Sequence, residues 1–287
     1  MSNSVQVVIV NYKTSDLTLN CINSVLKYTN PQIITIVDNS ESREEVKYLR
    51  GGLNLDDTKK YEENHWIRTT DGVLIELIIS SKNLGFGGGC NLGVFQTSSP
   101  QKHIWFLNSD CLLFNNALSP LLQVLNHNID YGIVSSTIVD PPSTRNFTTP
   151  DLNIQVSGVK NFLGLFFNTK TKFPNDSKDY INSDYAYGAS FILNRKDYLN
   201  ANGFDESYFM YLEETDLVLR IKKITGKKCC FSTKSIVIHL EGSSNIESNK
   251  KILITRNYLK FIKKNYKGVQ LLIGYFWYFL KLVKNYF

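Results

Sequence analysis

The side chains best suited to chemistry lie in one stretch, residues 203–220, with the sequence GFDESYFMYLEETDLVLR. Glu213, Glu214 and Asp216 stand almost side by side there and follow a run of aromatic residues. Carboxyl groups beside apolar surface tend to have a raised pKa, which brings them into the working range of a general base. One interpretation of the stretch is therefore a carboxylate that takes a proton from a substrate.

The same stretch also fits the charged start of an ordinary helix. In that interpretation Asp205 is the N-cap, and the early carboxylates face the positive end of the helix dipole. Arg220 then serves as an ion-pair partner further along the helix. The stretch alone leaves both interpretations open, so the elements around it must decide.

Polar residues follow two buried strands near the start of the chain. Residues 5–10 and 33–37 are runs of mostly β-branched residues, typical of strands in a parallel sheet. Tyr12 and Asp38 come just after them, and ligands of open α/β sheets bind at the carboxyl ends of strands. Both residues are therefore candidates for ligand contact. The alternatives are a half-buried loop aromatic for Tyr12 and the N-cap of the next helix for Asp38.

A glycine-rich segment, residues 83–91, follows the third predicted strand and opens a helix. Glycines let a ligand approach the backbone closely, and the N–H groups at a helix start favour phosphate. A dinucleotide-binding loop would need GxGxxG after the first strand, where this chain has no glycine. The pattern therefore favours a phosphate-containing ligand other than a nicotinamide dinucleotide.

Two further strand ends carry residues that suit a cation. Asn108, Ser109 and Asp110 follow the strand at 104–107, and carboxylate oxygens together with substrate phosphates are typical ligands of Mg²⁺ and Mn²⁺. His239 ends another short strand and could join that cation or a diphosphate. The alternatives are an ordinary turn at 108–110 and a loop histidine with its own partners.

The pattern along the chain predicts one large α/β domain. Residues 143–182 have weak periodicity and are expected to form loops or hairpins that shape an acceptor pocket. The other predicted elements are a helix capped by Ser15 or Asp16, a surface excursion at 51–72 with a hairpin turn at 71–72, helices at 115–125 and 196–200, and strands at 73–79, 131–139, 185–193 and 235–239.

Composition narrows the class of protein. The 287 residues carry a net charge of +6, with many basic residues between Arg195 and Lys284 beside apolar sequence, which favours an anionic small ligand or lipid over nucleic acid. Five cysteines without a CxxC pair suggest neither a disulfide framework nor a zinc knuckle. With no signal peptide at the start, we expect a cytoplasmic protein.

The C-terminal residues combine basic and apolar character. Residues 250–264 are basic with an apolar helical stripe, and residues 269–280 are almost entirely apolar and aromatic. The second run is shorter than the roughly twenty residues that span a bilayer, and lysines flank it on both sides. We expect an amphipathic tail at the membrane interface. A buried terminal helix and an oligomer contact are the alternatives.

Several ordered motifs resemble those of the inverting family-2 glycosyltransferases with the GT-A fold, especially bacterial rhamnosyltransferase-like members. The motifs are VVIVNYK at 7–13, IVDNS at 36–40, NLGFGGGCN at 83–91, FLNSD at 106–110, YGASFILNR at 187–195, the stretch 203–220 and IHLEGSS at 238–244. Each motif is weak alone, and their shared order over residues 5–262 makes the resemblance specific.

The resemblance implies a GT-A-like, Rossmann-related α/β fold, with a mostly parallel sheet flanked by helices and a C-terminal amphipathic helical tail. It implies a catalytic domain at 1–265, with a nucleotide-binding half at 1–112 and an acceptor-binding half at 113–265. The tail occupies 266–287. The nucleotide-sugar donor would contact Asn11, Tyr12, Asp38, Asn83, Phe86, Gly87, Asn91, Asn108 and Asp110, and the acceptor would contact Gly188, Ala189, Asp205 and Asp216.

The resemblance also assigns the metal and the base. Asp110 matches the last acid of the family's D-x-D motif, and Asn108 replaces the first, which implies a more weakly held Mg²⁺ or Mn²⁺ that His239 would help to bind. Glu213 and Glu214 match the family's Glu-Asp pair, whose second acid is the base. Because Glu214 is one methylene longer than aspartate, the choice between the two glutamates stays open.

The expected reaction is an inverting transfer of L-rhamnose from dTDP-L-rhamnose to a saccharide acceptor. The acceptor would be lipid-linked, in the synthesis of a surface polysaccharide such as O-antigen or capsule. The protein would lie peripherally on the cytoplasmic face of the inner membrane. The alternatives are a UDP-sugar donor, such as UDP-galactofuranose or a UDP-hexose, and a catalytically silent protein that binds sugar nucleotides.

Overall fold

The structure is a computed structural model that describes residues 4–55, 60–141, 179–240 and 247–286. Its strands are β1 Val5–Asn11, β2 Ile33–Asp38, β3 Lys60–Glu62, β4 His65–Thr70, β5 Val73–Ile79, β6 His103–Leu107, β7 Cys111–Leu112, β8 Tyr131–Val139, β9 Tyr180–Ser183, β10 Ser190–Asn194 and β11 Lys228–His239. Its helices are α1 Ser15–Tyr28, α2 Arg43–Gly52, α3 Gly85–Phe95, α4 Leu118–His127, α5 Arg195–Asn200, α6 Glu213–Thr225, α7 Glu247–Asn265 and α8 Gly268–Tyr286.

The strands form one sheet in the order β3-β4-β5-β2-β1-β6-β10-β8-β11-β7, with β9 also paired to β11. Strands β5, β2, β1 and β6 are neighbours and run parallel. Strand β10 is antiparallel to both β6 and β8, and β8 is parallel to β11. As a result β8 and β11 also point the same way as the central four, so the carboxyl ends of six strands share one edge of the sheet.

The first strand shows why the sheet is covered on both faces. Val7 and Ile9 belong to the apolar cluster that also contains residues of α1, α2 and α4, whereas Val8 belongs to the cluster with residues of α3 and α6. Successive side chains of a strand point to opposite faces, so the consecutive apolar residues Val7, Val8 and Ile9 require cover on both sides of the sheet. The buried strands predicted from these runs are confirmed.

Several local expectations about caps are wrong. The N-cap of α1 is Thr14, whose N–H donates to the Asn11 side chain, rather than Ser15 or Asp16. Ser42 caps α2 by accepting from the Glu45 N–H, so Asp38 is not that cap. In α2 the Ser42 side chain satisfies one of the free N–H groups at the start of the helix.

Other boundaries also differ from the sequence pattern. The helix expected at 115–125 is α4, which begins three residues later. The strand expected at 185–193 is shorter, since β10 begins at Ser190. Within the excursion at 51–72, β3 and β4 extend the sheet edge, and Asp71 and Gly72 form the predicted hairpin turn with positive φ. Most of 143–182 lies outside the described residues, as do the last four residues of the motif at 238–244.

The two C-terminal helices pack on each other. Gly274 of α8 lies against α7, and a Cβ built there would come within 2.7 Å of Ile262 Cγ2. None of the described helices combines the length and the apolar character needed to cross a bilayer. The division into a catalytic domain and a tail near residue 265 stays a prediction.

Candidate active site

The segment that leads into α6 has a strained backbone. Tyr211 and Leu212 have φ values of 74° and 72°, a left-handed conformation that costs about 1–2 kcal/mol for each residue with a side chain. The Asn257 amide on α7 donates to the backbone oxygens of Met210 and Tyr211, at 2.7 and 2.9 Å. Helix α7 therefore holds the turn that sets the direction of Glu213 and the residue after it. The predicted N-cap role of Asp205 is wrong, because α6 begins eight residues later.

Glu213 is the buried member of the glutamate pair. Glu213 is 3% exposed, and within the described residues its Oε2 has no hydrogen-bond partner. Burial, together with the charge of Glu214, raises the pKa of Glu213 well above its usual range. Burial in that setting favours the protonated form of the carboxyl group and leaves it almost no contact with solvent.

Glu214 is only half-buried and faces a different part of the molecule. Its Oε1 lies 3.6 Å from the point where a Cβ on Gly188 would be. Burial raises the pKa of Glu214 to about 7. This carboxyl group can therefore both take and release a proton near neutral pH, beside a residue without a side chain that would block access to it.

A second acidic cluster lies close by in sequence and is fully paired with cations. Lys264 Nζ is 2.7 Å from Asp205 and 2.9 Å from Asp216, and Arg220 Nε is 2.6 Å from Asp216. Burial opposes ionisation of Asp205, but hydrogen bonds from Lys264 and Ser207 outweigh it and lower the pKa of Asp205 to about 2. The predicted pairing of Arg220 along the helix is confirmed.

The expected acceptor contact of Asp216 is wrong. The residue is 0% exposed, and its oxygens bind Arg220, Lys264 and the Asn265 amide. Asp205 keeps partial exposure, and an acceptor contact there stays a prediction.

Strand pairing brings Asp110 and His239 together. Strand β11 pairs with β7, and His239 is in register with Cys111. His239 Nε2 lies 3.1 Å from Asp110 Oδ1 and 3.4 Å from the Asn108 amide nitrogen. A carboxylate oxygen and an imidazole nitrogen in one place are ligands that suit Mn²⁺.

Cys111 stands beside this pair and lies within the same ligand-sized cluster. Its thiol is buried, and burial, followed by the charge of Asp110, raises the pKa of Cys111 well above its usual range. The thiol donates to the Ala189 carbonyl oxygen, at 3.4 Å. Because only a thiolate is a good ligand, the candidate cation-binding atoms here are those of Asp110 and His239.

The turn at 187–189 connects the candidate cation site to the candidate base. Gly188 contacts Glu214, and the next carbonyl, that of Ala189, accepts from the Asn108 N–H at 2.9 Å. One short turn therefore contacts both candidate groups. Acceptor contacts of Gly188 and Ala189 stay predictions, and Ala189 itself is only 2% exposed.

The ends of β1 and β2 form a buried hydrogen-bond network. Asn11 Nδ2 donates to Asp38 at 2.7 Å, and Asn11 Oδ1 accepts from the Thr14 N–H and the Thr18 hydroxyl. Because Asn11 is 0% exposed and its amide is fully used, the expected direct contact with a nucleotide is wrong. It holds the turn after β1 instead.

Asp38 and Tyr12 differ in exposure. Asp38 is fully buried and accepts from Asn11 and from the Ser40 hydroxyl, and burial raises its pKa. Tyr12 is exposed at the end of β1, with the Lys13 ammonium 5.4 Å from its ring centre. Contact of both residues with a nucleotide base stays a prediction.

A cavity of about 350 Å³ opens between α2 and β4, and Asp38 is one of its lining residues. Arg43, Lys47 and Arg50 line it from α2, and the Arg50 guanidinium lies 4.9 Å from the centre of the Trp66 ring. A cationic wall beside an aromatic ring favours an anionic, ring-containing ligand. The three basic residues lie on one face of α2 because of their spacing in the sequence. That spacing could have predicted the basic side of the cavity, but none of the recognised motifs includes it.

The glycine-rich segment packs against the base-bearing segment rather than forming an open loop. Gly85 has φ +73°, and a Cβ there would come within 2.0 Å of the Phe209 carbonyl oxygen. The Phe86 N–H donates to that same oxygen, and a Cβ on Gly87 would come within 3.0 Å of Phe204 Cβ. The Asn83 side chain accepts from the Gly85 N–H. Donor contacts of Asn83, Phe86 and Gly87 stay predictions.

Asn91 is a structural residue. Its amide nitrogen donates to the Phe204 carbonyl and to Glu206, and its amide oxygen accepts from the Tyr198 hydroxyl and the Phe204 N–H. These four bonds exhaust what an asparagine side chain can make, and the residue is 4% exposed. The expected nucleotide contact of Asn91 is therefore wrong.

The sequence pattern did not indicate Asn257 or Lys264 as residues of this site. Both lie on α7, more than forty residues after the segment that they hold, and both sit in a helix with no special motif. Only the tertiary packing of α7 identifies them.

The sequence of the chain is similar to those of known glycosyltransferases. The sequence profile of glycosyl transferase family 2 matches residues 6–200. The rhamnosyltransferase WbbL of Escherichia coli K12 is 24% identical in an alignment 206 residues long that covers 63% of this chain and 76% of WbbL.

Solved structures share the fold at low identity. The Pyrobaculum calidifontis mannosyltransferase PcManGT, in complex with GDP-Man and Mn²⁺, is similar with a TM-score of 0.62 and 11% identity, over 97% of this chain and 70% of that one. GalNAc-T7, with UDP, GalNAc and Mn²⁺, has a TM-score of 0.64 and 14% identity, over 90% of this chain and 48% of that one. The expected GT-A fold class is confirmed.

Proposed function

Because the chain belongs to glycosyl transferase family 2, and is thus a glycosyltransferase with a nucleotide-sugar donor, we propose that it transfers L-rhamnose from dTDP-L-rhamnose to a saccharide acceptor with inversion. The observation that carries the proposal is the position of Glu214. It is a half-buried carboxyl group with a pKa of about 7, it lies beside Gly188, and it has no ion-pair partner within the described residues. That is the setting of a general base.

In the proposed reaction the Glu214 carboxylate takes the proton of the acceptor hydroxyl. The hydroxyl oxygen forms a bond to the anomeric carbon of the donor sugar as the bond from that carbon to the nucleotide diphosphate breaks. The electron pair leaves with the diphosphate, and one displacement inverts the carbon. Glu213, whose burial raises its pKa and favours the protonated form, supports the turn without contacting the substrate.

The residues present fit a divalent cation. Asp110 and His239 would hold Mg²⁺ or Mn²⁺, since a carboxylate oxygen and an imidazole nitrogen already lie 3.1 Å apart at two strand ends. When bound, the cation neutralises charge on the diphosphate leaving group. Asn108 replaces a second carboxylate here, so we expect the substrate diphosphate to contribute much of the affinity for the metal.

The donor and acceptor are the most specific parts of the proposal. The similarity to WbbL favours rhamnose, and a UDP-sugar is the second candidate. We propose a lipid-linked saccharide of surface polysaccharide synthesis as the acceptor, met at the cytoplasmic face of the inner membrane. A protein that binds sugar nucleotides without turnover is the candidate from a different class.

A donor panel tests the proposal. Purified protein with Mn²⁺ is incubated with dTDP-L-rhamnose, UDP-galactofuranose or UDP-glucose and a saccharide acceptor, and release of the nucleoside diphosphate is measured. In parallel, dTDP and UDP are compared for the rise in Tm that each produces, since only a ligand that binds the folded state stabilises it. We expect turnover with dTDP-L-rhamnose and the larger shift with dTDP. Turnover with a UDP-sugar alone would show that the donor is a UDP-sugar and not dTDP-L-rhamnose. Binding of a nucleotide without turnover of any donor would support a catalytically silent protein that binds sugar nucleotides.

A further inference from the structure

The outward face of α8 is apolar, although it is exposed to solvent. Its exposed residues include Phe276 and Phe279, at 59% and 61% exposure. Six of the fifteen large hydrophobic side chains that are exposed in the described residues lie on this one helix, namely Val269, Leu272, Ile273, Phe276, Phe279 and Leu280. A monomeric soluble protein rarely exposes so much apolar surface in one place without a binding role.

The spacing of these residues puts them on a single stripe. With 3.6 residues per turn, positions 269, 272, 273, 276, 279 and 280 fall within an arc of about 120°. Gly274 lies on the opposite side of the helix, where it contacts Ile262 of α7. The stripe therefore points away from the protein, and the narrow glycine contact fixes that orientation.

Basic residues are frequent in the sequence of the two C-terminal helices. From residue 248 to residue 287 the chain has nine basic residues and no acidic residue, and the basic ones are Lys250, Lys251, Arg256, Lys260, Lys263, Lys264, Lys267, Lys281 and Lys284. Lys263 and Lys267, near the turn between α7 and α8, are exposed. An apolar stripe with basic surroundings is complementary to a surface that offers both hydrocarbon and negative charge.

We propose that this stripe docks onto an anionic lipid membrane, with α8 lying in the plane of the interface. An amphipathic helix with aromatic and leucine residues on one face and lysines beside it binds such a surface through both apolar burial and charge. A second copy of the chain fits less well. A symmetric dimer through this face would bring two segments that are rich in lysine and lack acidic residues close together.

The position of α8 relates the membrane to the reaction. Helix α8 packs on α7, and α7 holds the segment before Glu214 through Asn257. A membrane under α8 would therefore lie one helix away from the proposed base. The membrane contact stands by itself, and only its benefit for a lipid-linked acceptor rests on the proposed function.

Vesicle flotation of the full chain tests the contact without any sugar nucleotide. Vesicles of phosphatidylcholine alone are compared with vesicles that also contain phosphatidylglycerol. We expect binding to the anionic vesicles, weakened by added NaCl, and at least about tenfold weaker binding for the double variant Phe276→Gln, Phe279→Gln. The matched control is Ile129→Gln, because Ile129 is an 86% exposed hydrophobic residue away from α8. It should bind like the wild type.

Three outcomes would overturn the proposal. They are no binding to anionic vesicles, equal binding by the double variant, and a dimer of the wild type in solution that the double variant loses. Circular dichroism and Tm verify that each variant is folded. Since turnover of a soluble acceptor is measured separately, a failure of the membrane contact and a failure of the proposed enzyme activity remain distinguishable.

Discussion

Two clusters of carboxyl groups lie within the same short segment, and the protein treats them in opposite ways. Asp205 and Asp216 are paired with Lys264 and Arg220, whereas the described residues supply no cation to Glu213 and Glu214. The pKa of Asp205 is lowered to about 2, and that of Glu214 is raised to about 7 by burial. The presence or absence of a cation, and not the residue type, separates them.

The difference shows which cluster is available for chemistry. A carboxylate that is held by cations stays ionised and fastens two elements together, here α6 and α7. A carboxyl group that is buried without a cation destabilises the folded state when it ionises, so its retention calls for a function. The sequence alone could not show that Asp216 has a structural role and Glu214 a candidate catalytic role, because the two residues are only two positions apart.

The largest expected effect is the loss of turnover in Glu214→Gln. The amide cannot accept the acceptor's proton, so we expect kcat to fall by about 10²–10⁴-fold while the affinity for the nucleotide is kept. Steady-state kinetics and nucleotide titration measure the two quantities. Glu213→Gln is the matched control, with a change of one atom at the neighbouring position, and it should keep most of the activity.

The opposite result for this pair would reverse the assignment. If Glu214→Gln kept its turnover while Glu213→Gln lost it, the base would be Glu213. If both variants were active, Asp205 would be the remaining candidate of the segment.

The second prediction concerns the paired cluster. Asp216→Ala leaves Lys264 and Arg220 without their buried partner, and removal of one member of a buried ion pair costs about 3–5 kcal/mol. Urea unfolding measures the free energy. Asp184→Ala is the control, because Asp184 pairs with Lys222 at 3.7 Å on the surface and such pairs contribute only about 0–1 kcal/mol. Equal losses in the two variants would show that the buried cluster does not hold α7 in place.

The sequence predicted well what depends on local pattern. Runs of mostly β-branched and apolar residues identified the central strands, because strands covered on both faces need apolar residues at most successive positions. Strand ends at Asp38, Asp110 and His239 were recognised by the same logic, and two of them, Asp110 and His239, do meet.

The sequence did not predict the partners of polar side chains. Asn91 belongs to a motif that suggested nucleotide binding, yet its amide is saturated by residues more than a hundred positions away. Asn11 and Asp216 were misassigned for the same reason. Whether a polar side chain contacts a ligand or another part of the protein depends on long-range packing. A local sequence pattern does not show that packing.

The smallest effect, and the one that tests both clusters together, is their response to pH. As a base, Glu214 works ionised, so kcat/KM should fall about tenfold for each pH unit below its pKa of about 7 and level off above it.

The stability of the fold should depend on pH as well. A carboxyl group whose folded-state pKa is raised from 4.5 contributes stability below pH 4.5 that is lost as the pH rises through 7. Wild type should therefore lose stability relative to Glu214→Gln across that window, as urea unfolding at several pH values would measure. Asp205 has the opposite sign, because its lowered pKa contributes stability above pH 3.8 that is lost as the pH falls toward 2. A Glu214→Gln difference that did not change between pH 4.5 and 7 would mean that this glutamate has an ordinary pKa, and the contrast between the clusters would then fail.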